Sequence, residues 1–81
     1  MRTLLDKATL EEYLAQAEDQ IDDARRRIER QRTVLAQVND ADREQAQELL
    51  ERFEWAFQTA LADRELILKM LASLGHRRLP N

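Results

Sequence analysis

A repeated spacing of mostly apolar residues in the first half of the chain is the feature that most constrains the fold. These residues follow one another at alternating steps of four and three positions. Such a heptad repeat is typical of a long helix that packs along its length against another helix. The members of this first seam are Leu10, Leu14, Ala17, Ile21, Ala24, Ile28, Gln31, Leu35 and Val38.

The second half of the chain repeats the same spacing. Its seam consists of Ala46, Leu50, Phe53, Phe57, Ala60, Arg64, Ile67, Leu71 and Leu74. Residues 39–42, which lie between the two seams, are of types that favour turns and helix caps. A connection of about four residues normally makes two long helices antiparallel neighbours. We therefore predict an all-α, antiparallel two-helix hairpin with coiled-coil-like heptad seams.

The whole chain is expected to form one domain, with the following bounds: helix 1 over about residues 9–38, a turn over 39–42, helix 2 over about 43–74 and a tail over 75–81. Thr9 and Glu12 have the spacing of a capping box, which favours a helix start near Thr9. An earlier start near Thr3, with Asp6 in the matching place, is the open alternative.

The turn also sets which seam residues face each other. Asp42 and Gln45 have the spacing of a second capping box, and Gly75 is placed to end helix 2. A turn centred near Asp42 predicts that Gln31 faces Phe53 across the hairpin.

Polar residues at seam positions usually fix the register of a helix pair. A turn centred near Asp42 sets Arg64 opposite Ile21. Because its side chain is long, we expect Arg64 to keep its charge in water by reaching toward Asp22 or Asp63.

The apolar surface of helix 2 is wider than one neighbouring helix can cover. Trp55 and Leu66 lie well outside its seam, and further apolar residues flank both helices: Tyr13, Val34, Leu49, Ala56, Leu61, Leu68 and Met70. A core in a chain of 81 residues usually supplies only about 3 to 5 kcal/mol without a partner or a staple. We therefore expect a homodimer, in which two hairpins form a four-helix bundle with two-fold symmetry.

Two functional interpretations remain open. The first is a non-catalytic protein–protein interaction or scaffold module, whose candidate contact residues are Arg25, Arg26, Arg30, Trp55 and Leu66. The second is a small regulator that binds RNA through the arginine ridge, by which we mean the arginines between positions 25 and 32. The net charge of −3 argues against a general polyanion binder, so we favour the first.

The residue types that enzymes need are scarce. There is no cysteine, one glycine and one histidine, His76, which lies near the end of the chain. We therefore expect no catalytic site, metal site, cofactor or small-molecule substrate. No apolar run approaches the roughly 18 residues of a membrane span. The apolar stretch within residues 1–6 is too short, and too soon interrupted by charge, for a secretory signal. A soluble cytoplasmic protein is the default expectation.

Several helical segments resemble a group of short uncharacterised bacterial proteins found in alphaproteobacteria. The similarity lies in residues 14–18, 21, 28–32, 49–54 and 62–64. It implies a compact helical hairpin of unassigned function. Members of that group often carry histidines where this chain has Gln20, Arg27 and Ala60, and a glycine where it has Ala24.

Overall fold

The computed structural model describes residues 6–77, which form two long helices joined by a short turn. Helix α1 covers Lys7–Gln37 and helix α2 covers Asp40–Arg77. The helices run antiparallel and contact each other along their lengths, in a rod of 65 × 18 × 17 Å. No strand occurs within the described residues. The predicted all-α hairpin is confirmed.

Helix α1 begins two residues earlier than the position we favoured from the sequence. The side chain of Asp6 accepts a hydrogen bond of 2.8 Å from the main-chain N–H of Thr9. Asp6 is therefore the N-cap, and Thr9 lies in the first turn instead of capping it. The alternative start near Thr3 falls outside the described residues.

The turn is shorter and earlier than predicted. Helix α1 ends at Gln37, and the N–H of Val38 still donates to the carbonyl of Val34 at 3.0 Å. The side chain of Asn39 accepts a hydrogen bond of 3.1 Å from the N–H of Asp42. Asn39 therefore caps α2, and Asp42 lies in the first helical turn rather than at the cap.

The described part of α2 runs past the predicted end of the helix to Arg77. Gly75 does not adopt the positive φ of a helix-ending glycine, so it continues the helix instead of closing it. Of the predicted tail over 75–81, the first three residues are thus helical, and 78–81 lie outside the described residues.

The core is a single narrow layer between the helices. Its buried side chains are Leu10, Ala17, Ile21, Ala24, Ile28, Gln31, Ala46, Leu50 and Ala60. All of them belong to the two predicted seams. Four are alanines, which bring the helix backbones close together but bury little apolar surface. At about 25 cal/mol per Å² of apolar surface buried, such a core leaves the single hairpin with little stability to spare.

Two polar seam residues reach partners other than those predicted. Gln31 donates from Nε2 to the main-chain carbonyl of Ala46 at 2.9 Å, a partner that the predicted register did not indicate. The earlier turn explains the difference, because it shifts the helices relative to each other near the turn. Arg64 lies 3.5 Å from Glu18, measured from Nε to Oε2, so its ion pair is with Glu18 and not with Asp22 or Asp63.

Candidate interaction surface

Five large apolar side chains remain exposed on the hairpin: Tyr13, Val34, Leu49, Trp55 and Leu66. Trp55 keeps 71% of its surface exposed and Leu66 keeps 58%. Single exposed apolar residues are common in soluble proteins, whereas a continuous group usually marks a contact surface. Their relative positions therefore decide how they are interpreted.

The exposed apolar residues of α2 differ in how far they lie from α1. Trp55 and Leu66 are eleven positions apart, about three turns, so they are nearly in line along the helix. Leu66 lines a groove between the helices together with Tyr13 and Met70. Trp55 lines a shallow depression with Ala56 and neighbouring charged residues.

Two rows of residues at heptad spacing extend this side along both helices. The row on α1 contains Tyr13, Gln20, Arg27 and Val34, and the row on α2 contains Leu49, Ala56, Asp63 and Met70. A spacing of seven is close to two full turns, so each row keeps to one side of its helix. Members of both rows line the same groove. We call this surface the apolar side: the two rows together with Leu66. Trp55 is five positions from both buried Leu50 and buried Ala60, so it points away from α1 on the back of α2.

The opposite side of the hairpin is held by charged contacts between the helices. Arg32 lies 3.6 Å from Glu54 there, and the Arg64–Glu18 pair lies on the same side. Arg25 places its guanidinium carbon 5.6 Å from the centre of the Phe57 ring. We call this the charged side; it has none of the five exposed large apolar side chains.

The structure separates the residues that the sequence grouped as one possible contact surface. Leu66 lies on the apolar side, Trp55 lies on the back of α2, and Arg25 lies on the charged side. Arg26 and Arg30 follow the buried Ala24 by two and six positions, so they point away from α2. The five residues therefore occupy four surfaces.

The arginine ridge carries less free positive charge than its sequence indicates. Arg27 lies 3.0 Å from Asp23, measured from Nε to Oδ2, and Arg25 lies 3.5 Å from Asp22. Arg32 is paired with Glu54. Among the described side chains, Arg26 and Arg30 are the members of the ridge with no ion-pair partner.

The hairpin exposes more surface than a compact monomer of its mass. Its accessible surface is 6449 Å², whereas a typical globular monomer of 9.6 kDa exposes about 5,100 Å². The excess, on the order of 1,300 Å², comes from the rod shape, with extents of 65 × 18 × 17 Å. The elongated shape thus leaves enough surface to form an interface along one side.

The described residues were also compared with the requirements of a metal site and of a membrane span. Across residues 6–77, no group of three or more His, Cys, Asp or Glu side chains is placed to hold a metal ion. Neither helix, over its described length, has a stretch apolar enough to cross a membrane. Comparison of the chain with protein-family models, curated proteins and solved structures finds no match. The functional argument therefore depends on the geometry of the surface.

Proposed function

We propose that the protein is a non-catalytic interaction module that works as a homodimeric helical bundle. One observation carries the proposal: four of the five exposed large apolar side chains fall on a single side of the hairpin, and they are Tyr13, Val34, Leu49 and Leu66. Two hairpins that join through this side hide their apolar surfaces from water and form a four-helix bundle. At about 25 cal/mol per Å², burial of several hundred Å² of apolar surface is a large gain for so thin a core.

The surfaces left open in such a dimer are those that face a further partner protein. The back of α1 carries Arg26 and Arg30, and neither is neutralised by a described carboxylate. Arginines are enriched among the residues that contribute most to protein interfaces. An acidic partner protein that binds this surface makes the dimer a scaffold with two equivalent docking sites.

RNA binding through the arginine ridge is the less favoured function. Arg25, Arg27 and Arg32 are each paired with a carboxylate of the same chain. A phosphate backbone would have to displace those carboxylates, and binding through the two remaining arginines would release few counterions. The ion pairs therefore favour a protein partner over a nucleic acid.

Sedimentation equilibrium of the unmodified chain and two variants tests the proposal. Leu66→Glu introduces a charge on the apolar side, and Gln58→Glu introduces the same charge on the charged side as a matched control. We expect the unmodified chain to dimerise, Leu66→Glu to weaken the dimer by at least about tenfold, and Gln58→Glu to leave it unchanged. Both positions are exposed in a single hairpin, so circular dichroism should show full helicity in each variant.

A monomeric unmodified chain contradicts the proposal. So does a Leu66→Glu variant that dimerises as tightly as the Gln58→Glu control.

A further inference from the structure

The outward face of α2 carries a second row of residues at the spacing of a helix-packing seam. Trp55, Thr59, Ala62 and Leu66 follow one another at steps of four, three and four positions. All four are exposed, whereas Ala60, a member of the core seam in the same stretch, is buried against α1. These steps are the ones that let one helix pack along another. We call this row the outer seam.

Most of the outer seam lies in the least charged part of the chain. Residues 55–62 form the longest stretch without Asp, Glu, Lys or Arg, in a chain of which 36% is charged. A helix face that meets only water is normally polar. The large side chains Trp55 and Leu66 stand at the two ends of the row, and small residues lie between them. A helix laid along the row therefore contacts two apolar anchors and has room between them for large side chains of its own.

The proposed homodimer leaves the centre of the outer seam uncovered. Trp55 points away from α1 on the back of α2, and Ala62, seven positions later, lies nearly in line with it along the helix. Leu66 borders the apolar side, where it lines the groove between the helices. The outer seam is therefore open to a further partner whether or not two hairpins pair through the apolar side.

The charges around the outer seam favour a basic partner. The exposed charged residues of this face are four acids and two bases, namely Glu44, Glu48, Glu51 and Glu65 against Arg52 and Lys69. None of the four carboxylates has an ion-pair partner among the described side chains. The face of a tryptophan ring also attracts cations more strongly than other aromatic rings do. Both features fit a partner that carries Lys or Arg beside its apolar residues.

A second copy of the chain fits this face less well. A two-fold contact through the outer seam sets the face against itself, so a net negative surface meets a net negative surface. The unpaired Arg26 and Arg30 on the back of α1 have the complementary charge. However, the back of α1 has none of the five exposed large apolar side chains, so it offers no apolar stripe to pack between Trp55 and Leu66.

We infer that the outer seam is a docking site for an amphipathic helix of another protein, one that carries large apolar residues along one stripe and Lys or Arg beside that stripe. The apolar stripe of the partner packs between Trp55 and Leu66, and its basic residues lie near Glu51 and Glu65. This contact adds a second partner surface to the proposed function and does not depend on the homodimer.

Two synthetic helical peptides of about three heptads serve as probes. Both carry Leu at heptad positions a and d and lack tryptophan; one has Lys at positions e and g, and the other has Glu there. Fluorescence anisotropy of a dye on the peptide measures its affinity for the full chain, and we expect the Lys peptide to bind at least about tenfold more tightly. Because Trp55 is the only tryptophan of the chain, its emission should shift to shorter wavelength as the Lys peptide covers it.

Substitutions at the centre of the outer seam locate the contact. Trp55→Ala removes an anchor, and Ala62→Arg places a bulky charge between the anchors. We expect each to weaken binding of the Lys peptide by at least about tenfold. Ala15→Arg adds the same charge at an exposed alanine of α1 and should change the affinity by less than about threefold. All three positions are exposed, so circular dichroism should show full helicity in each variant.

Three results overturn the inference. Equal weakening by Ala62→Arg and Ala15→Arg means that net charge alone attracts the peptide. Equal affinities of the two peptides, or unchanged binding to Trp55→Ala, remove the basic flanks or the aromatic anchor. Emission of Trp55 that shifts with chain concentration in the absence of peptide means that a second copy covers the outer seam.

Sedimentation equilibrium of the same proteins keeps this inference separate from the proposed function. A monomeric chain that binds the Lys peptide contradicts the homodimer and leaves the docking site standing. A dimeric chain that binds neither peptide contradicts the docking site and leaves the homodimer standing.

Discussion

Gln31 donates a hydrogen bond of 2.9 Å from Nε2 to the main-chain carbonyl of Ala46. Both residues are buried, and the bond joins α1 to α2 one to two turns from their connection. Within the described residues, no buried side-chain nitrogen or oxygen lacks a hydrogen-bond partner. The bond fixes which turn of α1 lies against which turn of α2. It is the only buried polar contact between the helices among the described side chains.

The Gln31 contact predicts a particular ranking of substitutions. Gln31→Glu replaces the donor with a carboxylate that faces the Ala46 carbonyl in a buried position. We expect it to destabilise the hairpin by about 2 to 3 kcal/mol at neutral pH. Gln31→Leu should cost less than about 1 kcal/mol, because the Ala46 carbonyl keeps its bond within α2. Urea unfolding of the two variants measures the difference, and equal losses would contradict the role of the bond.

The thin core predicts that truncation of one buried side chain has a large cost. Ile28 is buried in the middle of the interface between the helices. Ile28→Ala should cost about 2 to 5 kcal/mol, which approaches the whole stability of a chain this small. Ile28→Val is the matched control and should cost about 0.5 to 1.5 kcal/mol. Thermal unfolding followed by circular dichroism checks the pair; a cooperative, fully stable Ile28→Ala variant would be inconsistent with this core.

The N-cap of α1 predicts a local pH dependence. The hydrogen bond from the main-chain N–H of Thr9 lowers the pKa of Asp6 below its ordinary value of 3.8. A lowered pKa in the folded state means that the cap stabilises the helix above pH 3.8 and loses that contribution as the pH falls through the folded-state pKa. The amide shift of Thr9 in a proton–nitrogen NMR titration should therefore move with a midpoint below 3.8.

A control separates this cap from the other carboxylates of the chain. Asp6→Asn keeps the hydrogen-bond acceptor but cannot titrate, so its Thr9 amide should stay unchanged over the same pH range. A midpoint at or above the ordinary pKa in the unmodified chain, or an equal movement in Asp6→Asn, would refute the assignment of Asp6 as the cap.

Arg64 occupies a seam position and forms an exposed ion pair with Glu18. Glu18→Ala should cost less than about 1 kcal/mol, and the cost should shrink as salt is added, because exposed pairs are weak and screened. Arg64→Leu should stabilise the hairpin, since a polar residue at a seam position reduces stability. Thermal unfolding at low and high salt, without chemical denaturant, measures the stability of both variants. A strong loss in Arg64→Leu would mean that the Glu18 contact contributes far more than exposed pairs do.

The sequence was sufficient to predict the hairpin because its two seams specify both helices and their antiparallel packing. Every buried residue, from Leu10 to Ala60, is a seam residue. The helix ends were less predictable. Thr9, Asp42 and Gly75 each have the right residue type to end a helix, but none of them does so. Asp6 and Asn39 are the N-caps, because their side chains accept a hydrogen bond from an N–H three residues later. Local capping patterns occur more often than caps, and only the backbone geometry selects among them.

The candidate surface was predicted in part. The width of the apolar arc on α2 indicated that Trp55 and Leu66 remain exposed, as the structure has them. The structure does not place Arg25 on the same surface as Leu66. The sequence alone does not show which side of the hairpin each residue lies on, so it could not separate these two residues.

The mass of the unmodified chain in solution tests the central claim most directly. Light scattering on a sizing column, across concentrations from low micromolar to near millimolar, compares the observed mass with the chain mass of 9.6 kDa. We predict a species of twice that mass that dissociates only on dilution, which is the behaviour of a dimer joined through the apolar side. A helical, cooperatively folded monomer at every concentration would contradict the account.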